Sequence, residues 1–509
     1  MIGKRVVGPA LVALLLTGCG STVQYTGSAT VSGPDQALGG SVVPGAGGTT
    51  GAAGLAVPGP GGGAVAQGTT GAQPGAAGAQ AASALAAAPV PTLGGAAGSG
   101  LGFTQDTVQI GYATASDSNA FIGALGVKGV STSGDPVAQI KAVVSDINRH
   151  GGLMGRKIVL VAHDYNTAET LNDPSSANQA ACADWTQDHH VFAVVGAPIV
   201  EETLLSCLAR AHTPLVNAGG LDFPTPYDET FAKHPLFFDV ALMSGDRHDR
   251  IAVDRLVARK FFSPWDTLNG RPGTAATPMK LGLLGYDDQP GAVQLASLQR
   301  NLKRHGITVS PTDVVRCPRP ISGTIQCQQS AVLKMAADNV THIFGAGLIF
   351  IEQAESQRYR PRYFFAVEPR VIAENAPAAQ MTGSMGESNI PVMDVEPSEY
   401  PGDPSPATAY CKKIMRAAGE ATSDPTSLWA ELSVCDELYA LQAAVGLAGA
   451  LGPLQLEAGF ERLGTRLPSA LTWDSRFGPS QHYSSAVLRD VAFDSGKGRF
   501  VYVDRINRT

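Results

Sequence analysis

The chain is expected to fold as an α/β protein with two doubly wound parallel sheets. Two observations carry that expectation. Residues 135–164, DPVAQIKAVVSDINRHGGLMGRKIVLVAHD, make a complete helix, turn and strand, the unit from which parallel sheets are wound. Strand and helix signals then alternate along the rest of the chain, in one series up to about residue 240 and a second series after it.

The elements follow in order. Residues 108–113 are the first strand. Asp135 is placed to cap a helix that Pro136 opens, and Ile140, Val143, Val144 and Ile147 recur at helical spacing on one face. Gly151 and Gly152 stop that helix, Gly155 makes a second turn, and residues 158–161 read as a strand buried on both faces. Residues 191–196 (VFAVVG) and 214–217 are the third and fourth strands, with helices between. Residues 236–246, LFFDVALMSGD, have the extended, apolar character of a crossing strand. The second series has helices at 246–260, 292–305 and 328–338 and strands at 280–285, 341–344 and 363–366. A helix-rich stretch covers 408–450, and 484–503 reads as two strands joined by a turn at 494–498.

The N-terminal region has a different character. Lys4 and Arg5 precede an apolar stretch over residues 6–16, and Leu16-Thr17-Gly18-Cys19 ends it. A short positive region, a brief apolar region and a small residue before cysteine form the pattern of an exported lipoprotein. Residues 1–19 are therefore read as a signal peptide, with cleavage leaving the Cys19 thiol for a lipid that tethers the chain to the outer face of the cytoplasmic membrane. The apolar stretch is too short to span a bilayer. Residues 20–102 are mostly Gly, Ala, Pro, Ser and Thr with almost no charge, a composition that cannot offset its ordering entropy, so they are read as a disordered linker. The folded part is expected over 103–509. The net charge is −7 and basic residues do not cluster with aromatics, so nucleic acid is not an expected partner.

Six cysteines follow Cys19, and an even number in an exported chain favours disulfides. Their local grouping suggests Cys182 with Cys207, Cys317 with Cys327, and Cys411 with Cys435. No C-x-x-C spacing or paired-histidine helix accompanies them, so no metal is expected.

The DIN-x-x-GG-x-x-G turn of Asp146 to Gly155, followed by an apolar strand ending in Asp164, resembles the opening lobe of the leucine/isoleucine/valine-type periplasmic binding proteins. Val194-Val195-Gly196 before a helix, Leu471-Thr472-Trp473-Asp474 and the closing hairpin extend the resemblance over nearly all of 105–509. It implies the type I fold of such proteins: two lobes joined by a three-crossing hinge, lobe 1 from about 103–240 and 395–480, lobe 2 from about 241–394 and 481–509. It also implies an extracytoplasmic protein that captures a small polar ligand, an amino acid or a related compound, between its lobes. The closed form would then dock on the permease subunits of an ABC importer, with no cofactor.

Ligands of open α/β sheets bind beyond the carboxyl ends of the strands. That rule selects Ser116 and Asn119 after the first strand, Ala197, Pro198 and Glu201 after the third, and Asn217 and Gly219 after the fourth. In the second lobe it selects Asp287, Leu348 and Glu368. The helix following Ala197 presents backbone N–H groups suited to a carboxylate. By the resemblance, Glu368 stands where amino-acid-binding members place an acid that holds the ligand ammonium. Pairing with Arg370 is the structural alternative. Val200 and Gly219-Gly220-Leu221 stand where those members carry the hydroxyls that clamp the ligand carboxylate, and Leu348 and Pro290 where an aromatic covers the ligand. The resemblance thus implies binding more firmly than it implies an ordinary amino acid, and Glu201, Glu202 and Asp287 hint at a cationic or hydroxyl-rich ligand. No nucleophile elbow, HExxH helix or phosphate loop is present, so catalysis is not expected. A lipoprotein that senses a small molecule and signals to a membrane partner would use the same cleft and closure, and is the alternative reading.

Overall fold

Five strands, β1 (Thr107–Thr114), β2 (Lys157–Asp164), β3 (Ala193–Val195), β4 (Leu215–Asn217) and β5 (Phe237–Asp239), pair in parallel in the order β2-β1-β3-β4-β5. After a small ribbon of β6 (Trp265–Asp266) and β7 (Arg271–Pro272) comes a second sheet. It contains β8 (Leu281–Tyr286), β9 (Val314–Cys317), β10 (His342–Phe344), β11 (Arg362–Phe365), β12 (Met385–Ser388), β13 (Arg489–Asp494) and β14 (Arg499–Tyr502). Its order is β14-β13-β12-β11-β10-β8-β9, parallel except for the last two strands of the chain. This is a computed structural model, and it describes residues 100–120, 134–219, 226–366, 368–399, 403 and 405–503, all within one unit of residues 72–509. The signal peptide with Cys19, residues 20–99 of the linker, and Gly220 and Leu221 lie outside the described residues.

Local rules account for the helices. Asp135 accepts the Val137 N–H at 2.9 Å and Pro136 is the first residue of helix Pro136–Arg149. Asp288 accepts from Gly291 and starts Gln289–Arg304 in the same way. The helix expected at 328–338 begins earlier, as Ile321–Ala337, because Pro320 sets an extended cap. The helix-rich stretch resolves into Pro406–Ala418 and Pro425–Ala448, each ended by a glycine in the left-handed region, and is followed by a third helix, Pro453–Leu463.

Each sheet is covered on both faces, as parallel sheets require. One face of the first sheet packs Val108, Ile110, Val143 and Ile147 against Leu432, Leu438 and Leu441 of the long helix Pro425–Ala448, and Cys411 and Phe460 join the same core. The other face packs Trp185, Val194, Leu204, Leu208 and Phe237. The second sheet lies between a core around Met335, Ile343, Phe350 and Tyr363 and another around Val253, Phe261, Leu283 and Leu298. Helix Pro425–Ala448 is apolar around its circumference because it is buried on most sides. The three disulfides pair as the local grouping suggested, Cys182–Cys207, Cys317–Cys327 and Cys411–Cys435.

One expectation is corrected. β2 is the edge strand of its sheet, and Val159 is 43% exposed, so it is not buried on both faces. The crossover after β2 returns the chain to the far side of β1, which leaves β2 with a single partner.

Chain segments cross between the sheets side by side. Asp239 N–H donates to His482 O at 2.8 Å, Ser484 N–H to Asp239 O at 2.9 Å and Ser485 N–H to Leu242 O at 3.0 Å, while the Asn389 side chain donates to Ala241 O. These bonds join three crossing segments into the hinge of a type I two-lobed fold.

Candidate functional site

Numbered from its own first strand, the parallel part of each sheet has the same order, 2-1-3-4-5. The winding reverses between β1 and β3 in one sheet and between β8 and β10 in the other. Loops leaving such a switch point diverge and open a crevice at the carboxyl ends of the strands. Ser116 and Ala197 stand at the first switch point, Asp287 and Leu348 at the second. Gly345, just after β10, has φ +81°, and a Cβ there would lie 2.2 Å from Leu284 O, so only glycine fits that turn.

The first lobe's groups are wired to one another. Ser116 Oγ and N–H both donate to the Asp164 carboxylate, at 2.6 and 2.9 Å. Asn217 is buried, and its Oδ1 accepts the Ala197 N–H at 2.9 Å. The Ala218 N–H donates to Glu437 Oε1 at 2.9 Å, and Glu437 Oε2 lies 3.0 Å from where a Gly196 Cβ would stand. Ala197 is buried, Pro198 and Glu201 are half-buried, and Asn119 is exposed in the helical residues that follow β1. Gly219, with φ +73°, abuts Leu242.

On the second lobe Asp287 is exposed and Leu348 half-buried, opening helix Leu348–Ser356. Glu368 follows the end of β11 and caps helix Pro369–Asn375 with φ +50°, an uncommon conformation for a residue with a side chain. Its carboxyl is pushed upward in pKa, by burial first and against the pull of Arg370. Arg370 is spent elsewhere, on Glu374 at 2.5 Å, Val392 O and Thr426, so it does not pair directly with Glu368.

Arg319, which sequence reasoning missed, joins the two faces. Its guanidinium lies 4.3 Å over the Tyr286 ring, its Nε is 2.5 Å from Asp288 Oδ2, and Glu201 Oε1 of the first lobe is 3.6 Å away. The structure thus brings Glu201 to the second lobe beside Asp288 rather than Asp287. A lone arginine between Pro318 and Pro320 carries no local signal of that role; only the fold of the Cys317–Cys327 loop supplies it.

Acids lie behind the first-lobe loops. Burial raises Asp239 to about 6 and Asp436 to about 7, and it also raises Glu437, with Asp239 and Asp436 adding to the effect. Asp436 accepts from the Ser469 hydroxyl and from the Ala470 and Leu471 N–H groups. A carboxyl with a raised folded pKa gives stability that is complete below its unfolded value and lost as pH rises through the folded value. The stability difference between the protein and Asp436→Asn should therefore fall as pH rises from about 4 to about 7, by up to about 4 kcal/mol, and level off above. Buried His342, lowered to about 3, acts in the opposite direction but is common to both proteins and cancels. Urea unfolding from pH 4 to pH 8 reads the difference, and a flat profile would contradict the assignment.

Two sheets with matching switch points, joined by a triple crossing, define a two-lobed protein. Residues 128–483, more than half of the chain, match the periplasmic binding protein family, and the chain belongs to that family, whose members bind solutes. A possible leucine/isoleucine/valine-binding protein from Rhodopirellula baltica is similar in structure, at 16% identity with a TM-score of 0.54 over 80% of this chain and 98% of that one. An ABC transporter substrate-binding protein from Desulfitobacterium hafniense in complex with Leu is 17% identical, with a TM-score of 0.51 over 78% and 100%. A solute-binding protein from R. palustris in complex with 4-hydroxybenzoate is 12% identical, with a TM-score of 0.55 over 79% and 96%. A search of curated protein sequences gives no match.

Proposed function

We propose that the chain captures a small polar solute carrying an amino group, an amino acid or a compound related to one, and delivers it to the membrane subunits of an ABC importer. It works outside the cytoplasm, held to the membrane by a lipid on Cys19. No cofactor takes part: the solute enters between the lobes, closure buries it, and the closed form is the one the permease receives. Family membership and the substrate-binding proteins of similar fold support the transport reading. The observation that carries the amino group is Glu368, a part-buried carboxyl at the end of β11 with no hydrogen bond to it from the described residues. An ammonium placed there would supply the missing partner, and charge-assisted bonds of this kind contribute about 1.5 to 3 kcal/mol.

A thermal-shift screen of the full chain with amino acids, amides, amines, sugars and aromatic acids tests the proposal. A solute at about one hundred times its dissociation constant should stabilise the folded state by about 2.7 kcal/mol. The gain should fall by about half or more at the same concentration in Glu368→Gln. No shift with any class, or a shift unchanged in that variant, would oppose it.

A further inference from the structure

We infer that the captured solute is an organic amine that lacks a carboxylate; this rests on the solute-capture reading and narrows it. A carboxylate leaving water needs donors to replace its hydration. On the first lobe the donors at the strand ends already have acceptors of the protein's own. The Ala197 N–H is held by Asn217, the Ala218 N–H by Glu437, and the Ser116 hydroxyl and N–H by Asp164. Helix Glu202–Arg210, whose first turn would favour an anion, has Glu201 at its cap and Glu202 as its first residue. Glu201, half-buried at that cap, stands in the region where its dipole acts, while the Glu202 carboxylate is turned to Lys233 and His234.

Charge on the facing groups points the same way. Glu201 and Asp288 share the cation Arg319, whose Nε lies 3.6 Å from Glu201 Oε1 and 2.5 Å from Asp288 Oδ2. One guanidinium held between Glu201 and Asp288 leaves that corner acidic. The Tyr286 ring shows what the corner accepts, since a cation already lies over its face at 4.3 Å. An α-carboxylate would meet acids and spent donors, while an ammonium would meet Glu368.

Matched pairs separate the two classes: cadaverine with lysine, agmatine with arginine, phenethylamine with phenylalanine, and 3-methylbutylamine with leucine. Calorimetric titration of the full chain should find at least one amine bound about tenfold or more tighter than its amino acid. That amine should lose about tenfold or more in Glu368→Gln, the loss expected for one charge-assisted bond. If the amino acids bind as tightly as the amines, or if 4-hydroxybenzoate binds and no amine does, the inference is overturned while solute capture stands. An amine bound equally by Glu368→Gln also overturns it, because its ammonium would then be held elsewhere. Binding by neither member of any pair, with 4-hydroxybenzoate also inert, overturns the inference and the capture of amino compounds together.

Discussion

Replacing Phe238 with alanine is expected to lower the unfolding free energy by about 4 kcal/mol, in the range for emptying a buried aromatic site. Phe238 is the middle residue of β5 and is fully buried. Its ring stacks on Phe460 of helix Pro453–Leu463, with centroids 4.0 Å apart and planes 10° from parallel, and His482 of the third crossing segment lies against it at 5.1 Å. One side chain therefore joins the last strand of the first sheet, the helix that covers it and the hinge. Phe238→Leu keeps most of the volume and should cost only about 1.5 kcal/mol. Urea midpoints of the two variants check this, and equal midpoints would show that the ring stack is not what holds the helix.

The second large effect is expected at Cys411–Cys435. This bridge closes a separation of 24 residues and joins Pro406–Ala418 to Pro425–Ala448, both sulfurs being buried in the first lobe's core. Replacing both cysteines with alanine releases the unfolded chain from that loop and should cost about 3 kcal/mol. Removal of Cys317–Cys327, with a separation of 10 residues, should cost less. Guanidinium unfolding under non-reducing conditions compares the two, and a larger loss from the shorter loop would contradict the assignment.

Much of the fold was legible because its signals are local. Caps such as Asp135, the Gly151-Gly152 stop, the alternation of strands with helices and the 494–498 turn depend on residues close together in the chain, and the structure shows each of them. What was missed depends on distant partners. β9 is a short edge strand, VVRC, and β12 is MGES, with a glycine and a buried acid where an apolar run would be expected. Both become strands only because neighbours pair with them. The edge position of β2 is a property of strand order, which no periodicity reports.

The site divides in the same way. Strand ends identified the loops, so Ser116, Ala197, Asp287, Leu348 and Glu368 could be named from the sequence. The bonds that decide what those loops can hold could not be. Glu437 lies within a 24-residue helix and meets Ala218 across 219 positions of sequence, and Arg319 reaches Glu201 from the other lobe. Within an apolar helix an acid reads as a surface residue, and only the packing of Pro425–Ala448 behind the first sheet shows Glu437 to be buried.

The most direct test of solute capture is the distance between the lobes. Spin labels at Leu454 on helix Pro453–Leu463 and Leu333 on helix Ile321–Ala337, both exposed, report it by electron-spin distance measurement. Adding the solute that stabilises the protein most should move the distances to one narrow, short population, because a ligand held between lobes favours the closed form by its differential affinity for it. A distribution that stays the same while the solute is bound would place binding outside the crevice and contradict the account.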